Sequence, residues 1–298
     1  MRHIEIQVEF PAVAREQVVR PRAEQVLEPT RWPYVLAGSL AAVAAFAAGF
    51  GLFVPSLLAG TQVTVGNLRG TALVVLAVGV PALVAAMVMA RRGSARAVVV
   101  WLGATAYLLY QGVMFCFGTP MNNLFLVYVA MLGLGLWSLL VLLREVDVHR
   151  FAARVDGRMP RQQLAAVVGG FAVLNGLAWL VRIVPAVFTA DPSSPLEGSG
   201  LLTSPVWVQD LAFWVPASLV AAVWFWHHRP RGVLLSGGML VFYAVECLSI
   251  ASDQWWGAQA DPSRADLASA SMVVPFLVLG AALLAVVGWY LRHVDRAG

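Results

Sequence analysis

A chain of 298 residues that is 60% hydrophobic and only 12% charged falls well short of the roughly 25% charged residues with which a water-soluble domain clothes its surface. Its mean hydropathy of +0.76 makes lipid the solvent for much of that surface. All 20 basic residues are arginine, and a net charge of +4 is spread too thinly to form a nucleic-acid footprint.

The first 32 residues are a charged leader. Within it, His3-Ile4-Glu5-Ile6-Gln7-Val8-Glu9-Phe10 alternates in strand fashion, yet five arginines stand against five glutamates over the whole leader, which suits a solvated tail equally well. The apolar run over 33–58 exceeds the about 7–15 residues of a signal-peptide core and lacks a convincing cleavage site, so a retained first helix is expected. A helix needs about 20 residues to cross about 30 Å of hydrocarbon. Segments 68–90, 97–117 and 123–143 also qualify. After a connector over 144–162, so do 163–189, 204–226, 233–251 and 269–291, leaving a tail at 292–298. The expected fold is an all-α polytopic bundle of eight spans, with four-span units at 33–143 and 163–291. Prolines paired with small residues inside the spans forecast bends.

Arginine decides orientation, because short basic loops stay in the cytoplasm. The leader, the Arg91-Arg92 to Arg96 turn, the Arg144 to Arg161 connector, the Arg229-Pro230-Arg231 turn and the tail hold 17 of the 20 arginines. The alternate connections hold Arg69 and Arg264 and are otherwise acidic, with Asp191, Glu197, Asp261 and Asp266. Both termini are therefore expected inside.

The two halves read as diverged copies. Val54-Pro55 near the outer end of the first span matches Val184-Pro185 in the fifth. Val80-Pro81-Ala82 in the second matches Val215-Pro216-Ala217 in the sixth. Leu143-Arg144-Glu145-Val146-Asp147 after the fourth matches Leu291-Arg292-His293-Val294-Asp295 after the eighth. Four spans is an even number, so such a repeat is parallel and its axis lies along the membrane normal. Convergence in an Ala/Val/Leu-rich chain is the alternative.

Ionisable residues in lipid-spanning segments mark candidate sites. Glu246 lies past mid-span in the seventh segment, and Tyr243, Glu246 and Asp253 share a helical face by their spacing of 3 and 7. This face is either interhelical glue or a solute, ion or proton site. Asn175, Trp179 and Arg182 share a face of the fifth span, and Asp210 opens the sixth, so Arg182, Asp210 and Glu246 are candidates for an ionic cluster in the outer half. Arg182 and Asp210 could instead snorkel to headgroups. Gln111, Cys116 and Asn122-Asn123 supply neutral polarity in the first copy, with Tyr107 and Tyr110 below them. The asparagine pair suits a helix cap. The cavity so formed is expected to open outward.

Cofactor motifs are missing. Cys116 and Cys247 lie in apolar stretches and form no Cys-x-x-Cys pair. The five histidines fall in loops or at boundaries, which argues against haem ligation inside the membrane, and no phosphate-binding loop or serine elbow is present. No cofactor and no metal is expected, and the pattern points away from an enzyme.

Two stretches, Gly118-Thr119-Pro120-Met121-Asn122-Asn123-Leu124-Phe125 and Ala251-Ser252-Asp253-Gln254-Trp255-Trp256-Gly257, resemble segments of uncharacterised bacterial multi-pass membrane proteins. That resemblance covers about a fifth of the chain by motif, implies a bacterial inner-membrane location and carries no activity or functional residue. The sequence reading ranks a secondary transporter of a small solute or ion first. A noncatalytic subunit or sensor that binds a partner comes next, followed by an intramembrane enzyme acting on a lipid or other hydrophobic substrate, with Glu246 and Asp210 as its acid/base pair. Lipid is the one partner expected throughout; oligomeric state is left open.

Overall fold

The structure, a computed structural model, describes Val26 and residues 30–296, so the alternating stretch at 3–10 lies outside the described residues. Among those described, 78% are helical and no strand is formed. Eight helices are long and apolar enough to span a bilayer: α1 (Trp32–Phe53), α2 (Gln62–Arg91), α3 (Ala95–Phe117), α4 (Phe125–Glu145), α5 (Arg161–Val187), α6 (Pro205–Trp226), α7 (Pro230–Ala260) and α8 (Ala270–Leu291). The chain is thus an all-α polytopic membrane bundle. A short helix, Val148–Ala153, lies in the connector between α4 and α5.

Local chemistry sets the helix starts. Ser94 and Ser204 accept the N–H groups of Ala97 (3.3 Å) and Trp207 (3.4 Å), satisfying amides that have no partner within the helix. Pro33, Pro205 and Pro230 occupy first-turn positions, where a missing N–H is no loss. Asn122 accepts the N–H of Leu124 (2.9 Å) just ahead of α4, close to the capping role read from the asparagine pair.

Two helices outrun the hydropathy boundaries. α2 begins at Gln62 rather than 68, and α7 runs on to Ala260 rather than stopping at 251. The reason is mutual: the polar turns of each helix pack on the other. Gly66 and Gly70, spaced as a small-xxx-small pair, let the backbones touch. A Cβ on Gly66 would stand 2.6 Å from the Trp256 carbonyl oxygen, and one on Gly70 2.5 Å from that of Ser252. The Ser252 hydroxyl donates to the Gly70 carbonyl (2.7 Å), and the Arg69 guanidinium sits over the Trp256 ring at 4.6 Å.

α3 and α7 form the centre, with 83% and 72% of their apolar windows buried against 28% for α4 and α5 and 11% for α8. They cross at Gly103, whose Cβ would meet Val241 Cβ at 2.5 Å. α7 also packs on α2, α6 and α8; α1 lies along α2 and α4; and α5 leans on α6 without a matching contact to α8.

Prolines in α2 and α6 act alike. Each helix contains a five-residue π-helical segment, Val75–Gly79 and Asp210–Trp214, followed at once by Val-Pro. A proline ring has no N–H to donate and collides with the carbonyl one turn back. A widened turn accommodates both effects.

The arginine-rich segments meet at one end. The carbonyl of Val26, ahead of α1, accepts from Asp147 N–H after α4 (3.0 Å), and that of Arg154, ahead of α5, accepts from Asp295 N–H after α8 (2.9 Å). The Asp295 carboxylate caps α3 by accepting from Ala95 N–H (3.0 Å) and Arg96 N–H (3.2 Å). At the opposite, acidic end, the Thr64 hydroxyl donates to the Ser199 carbonyl (2.9 Å) and Arg264 to that of Glu197 (2.8 Å).

The α2–α7 contact makes a directional prediction. Gly70→Ala places a methyl against unyielding backbone and is expected to destabilise the protein by about 1–3 kcal/mol, the range for overpacking. Gly49→Ala, where nothing lies within 4 Å of the added carbon, should be neutral. Thermal unfolding of the two variants in one detergent measures the difference.

Candidate functional site

Polar side chains in the acidic half of the bundle collect on α7 and its neighbours. The helical face read from sequence divides between two partners. Tyr243 pairs its hydroxyl with that of Ser218 on α6 (2.8 Å). One turn further on, Glu246 turns to α3 and accepts a hydrogen bond from Gln111 Nε2 (2.7 Å). Ser249 accepts from the Tyr107 hydroxyl of α3 (3.2 Å). Asp253 accepts from Gln254 Nε2 (3.1 Å), whose Oε1 accepts from Ser269 N–H (2.9 Å) ahead of α8.

Gln111 and Tyr107 are buried, whereas Glu246 and Asp253 keep part of their surface open. A carboxylate at such depth requires compensation, because hydrocarbon offers no water to replace its hydration shell. Glu246 receives its hydrogen bond from across the α3–α7 crossing. Sequence spacing shows which residues share a face of one helix; it cannot show that Gln111, 135 positions away, supplies the donor.

A second carboxylate is held by a separate network. Asp210 is 5% exposed and stands at the start of the π segment in α6. Its Oδ2 accepts from Trp179 Nε1 (2.8 Å) and Asn175 Nδ2 (3.1 Å) of α5, and the Tyr110 hydroxyl approaches the same group. The shared face of Asn175 and Trp179 is therefore used as read. Arg182 is not part of it: the side chain is exposed, and no salt bridge joins it to Asp210. One helical turn toward the end of α5 lets its long stem reach outward instead of displacing the neutral donors.

The expected ionic cluster thus resolves into carboxylates with neutral partners. Among the described residues the salt bridges are Arg150–Asp147, Arg154–Asp295 and Arg264–Asp266, all at the ends of the bundle. Aromatic rings wall the intervening space, with Trp214 stacked on Phe242 at 4.6 Å and Phe171 tilted against Tyr243 at 4.4 Å. Cys116 is buried and unpaired. No group of three His, Cys, Asp or Glu side chains converges as metal ligands among the described residues.

Sequence reasoning overlooked Ser218, Ser249 and the Arg69–Trp256 pair. A Gly-x-x-x-Gly spacing around Arg69 was the available signal, since it brings a neighbouring helix within reach of that side chain. Ser218 and Ser249 carry no signal of their own, because isolated serines are common in transmembrane helices.

At the acidic end the loop electrostatics are simple. The Arg264 side chain hydrogen-bonds Asp266 (2.7 Å) and holds that carboxyl below its ordinary range. Stability from this link is present at neutral pH and lost as the pH falls through the lowered value. Both groups lie in solvent, so little of the stability of the fold depends on them.

No family model, curated protein or solved structure matches the chain.

The Gln111–Glu246 bond can be weighed by a double-mutant cycle. Gln111→Leu should destabilise the protein, because it leaves the carboxylate without its donor. Gln111→Leu combined with Glu246→Leu should recover most of the loss, with a coupling of about 1.5–3 kcal/mol, the range for a hydrogen bond to a charged group. Arg182→Gln should change stability by less than about 0.5 kcal/mol, as exposed substitutions do. Denaturation in one detergent gives all of these values.

Proposed function

We propose that this integral membrane protein is a secondary transporter of a small ion or solute, with Glu246 as the group that binds the coupling proton or cation. The observation that carries the reading is an imbalance of charge. Asp210, Glu246 and Asp253 lie in spanning helices, their hydrogen-bond donors are Asn175, Trp179, Gln111 and Gln254, and none of those donors is cationic. Neutral donors orient a carboxylate but leave its charge in place. A proton or a small cation arriving at Glu246 removes that charge, so occupancy and local electrostatics are linked.

Position supports the same reading. Glu246 and Gln111 bridge α7 and α3, the two central helices, each drawn from a different four-span unit. Parallel-repeat transporters place their sites between halves of this kind. Internal duplication is part of the proposal and rests on three sequence matches together with two structural likenesses. The π segments of α2 and α6 precede the matched Val-Pro pairs, and each unit is closed by a backbone hydrogen bond from the segment after its last helix to the one before its first. The packing of α1 on α4, without a counterpart between α5 and α8, is where the units diverge.

The arginine-rich end is assigned to the cytoplasm by the positive-inside rule, and the membrane to the bacterial inner membrane. With Cys116 and Cys247 replaced by serine, Arg158→Cys should resist a membrane-impermeant thiol reagent in intact cells while Ser193→Cys reacts. Reaction at position 158 with the inner leaflet sealed reverses the orientation.

Transport is tested on the full chain in sealed vesicles containing a pH-sensitive dye, with alkali cations and small organic solutes offered outside. Glu246→Gln keeps shape and much of the hydrogen bonding but deletes the titratable charge. The wild type should move protons or cations, and the variant should lose at least about tenfold of that flux, the equivalent of about 1.4 kcal/mol, while melting within a few degrees of wild type. Equal flux in the two proteins removes Glu246 from the coupling step. Absence of flux for every solute offered removes the transporter reading.

A further inference from the structure

The bundle has a second feature that the carboxylates do not use. On the flank between α4 and α6 a groove of about 760 Å³ is floored by α3 and α7, within the range of ligand pockets. It extends along α3 from Leu102 to Phe117, about 22 Å at 1.5 Å per residue, which is longer than the about 15 Å of one hydrocarbon leaflet. Its walls open toward the surface that faces lipid: Leu136 is 44%, Val208 56% and Phe213 66% exposed.

The lining is apolar apart from Thr203 and Gln209, both at the acidic end. Gln209 is 3% exposed. Its Oε1 accepts from Trp214 Nε1 (3.2 Å), which fixes the amide, while Nε2 is buried with no hydrogen-bond partner. An orphaned amide donor is costly in such surroundings. Gln209 lies four residues beyond Pro205, about 6 Å into the helix, at the acidic end of the groove.

We propose that this groove is a lipid site, in which one acyl chain of a membrane glycerolipid lies between α4 and α6 and its ester carbonyl accepts from Gln209 Nε2. A length exceeding one leaflet, a mouth open to lipid and an orphaned amide donor at one end of an apolar lining are what such a molecule requires. The site adjoins the carboxylate network, because Gln209 is bonded in sequence to Asp210 and the π segment presents Phe213 and Trp214 to the groove. It does not depend on the transport reading.

The test reconstitutes the full chain in phosphatidylethanolamine vesicles containing a trace of phosphatidylglycerol with a photoactivatable diazirine at the end of one acyl chain. After irradiation, labelled peptides are mapped. Labelling at 139–143 and 235–239, at the basic end of the groove, should exceed that on the exposed α8 residues Val274 and Val278 by about tenfold, the affinity equivalent of one hydrogen bond to the head region. Ala217→Trp or Leu136→Trp, which fill the groove from its exposed walls, should reduce groove labelling to the α8 level. Gln209→Leu should lower it for the ester probe but not for an ether-linked analogue, which has no carbonyl. Equal labelling of groove and α8 means annular lipid only and overturns the proposal. So does an unchanged ester preference in Gln209→Leu, or groove peptides shielded from the probe and crosslinked instead to a second copy.

Discussion

The close approach of α7 to its neighbours is the contact on which the rest of the bundle depends. A 31-residue helix can run through the middle of seven others only where side chains are removed at the crossings. Gly66 and Gly70 do this on α2, and Gly103 does it on α3. Between membrane helices hydrophobic burial supplies little preference, because lipid is as apolar as leucine. Backbone-to-backbone packing and interhelical hydrogen bonds supply it instead, and Ser252 to the Gly70 carbonyl is one such bond.

That packing is also what allows polar residues into the membrane. Every donor and acceptor there must be met within the protein, and glycine crossings bring neighbouring helices close enough to meet them. Gln111 reaches Glu246 and Tyr107 reaches Ser249 across the α3–α7 crossing near Gly103. On the other side of the bundle, the π segment of α6 positions Asp210 toward α5 and the adjacent Gln209 toward the groove. The consecutive residues Gln209 and Asp210, about 100° apart around the helix, therefore serve two different polar sites.

Charge is handled differently in the membrane and at its boundaries. At the basic end, aspartates pair with arginine or cap helices: Asp147 accepts from the N–H groups of His149 and Arg150, and Asp295 caps α3 while lying 3.5 Å from Arg154. Inside the bundle the carboxylates meet only neutral donors among the described residues. An ion pair fixed permanently at Glu246 would neutralise the charge but leave no reason for a mobile cation to bind. On the proposed reading, the neutral partners are what keep the site open to exchange.

How much of this was legible in the chain itself follows from the range over which each force acts. Hydropathy is a local sum, so eight spans, their order and the charge difference between the two ends could be read directly. Helix periodicity is local as well, and it placed Asn175 with Trp179 on one face, as their shared acceptor Asp210 requires. Boundaries failed where locality fails. Gln62 to Asn67 and Ser252 to Ala260 carry too many polar residues for a hydropathy sum to include them, yet both are helical where they pack on each other. Partner choice is likewise tertiary: Asp210 bonds to Asn175, Trp179 and Tyr110 rather than to Arg182 because the guanidinium reaches the bundle surface. The bond between Gln111 and Glu246 and the groove beside Gln209 arise where separate helices cross. A linear sequence determines which residues each helix can offer; how the helices pack decides which of them meet.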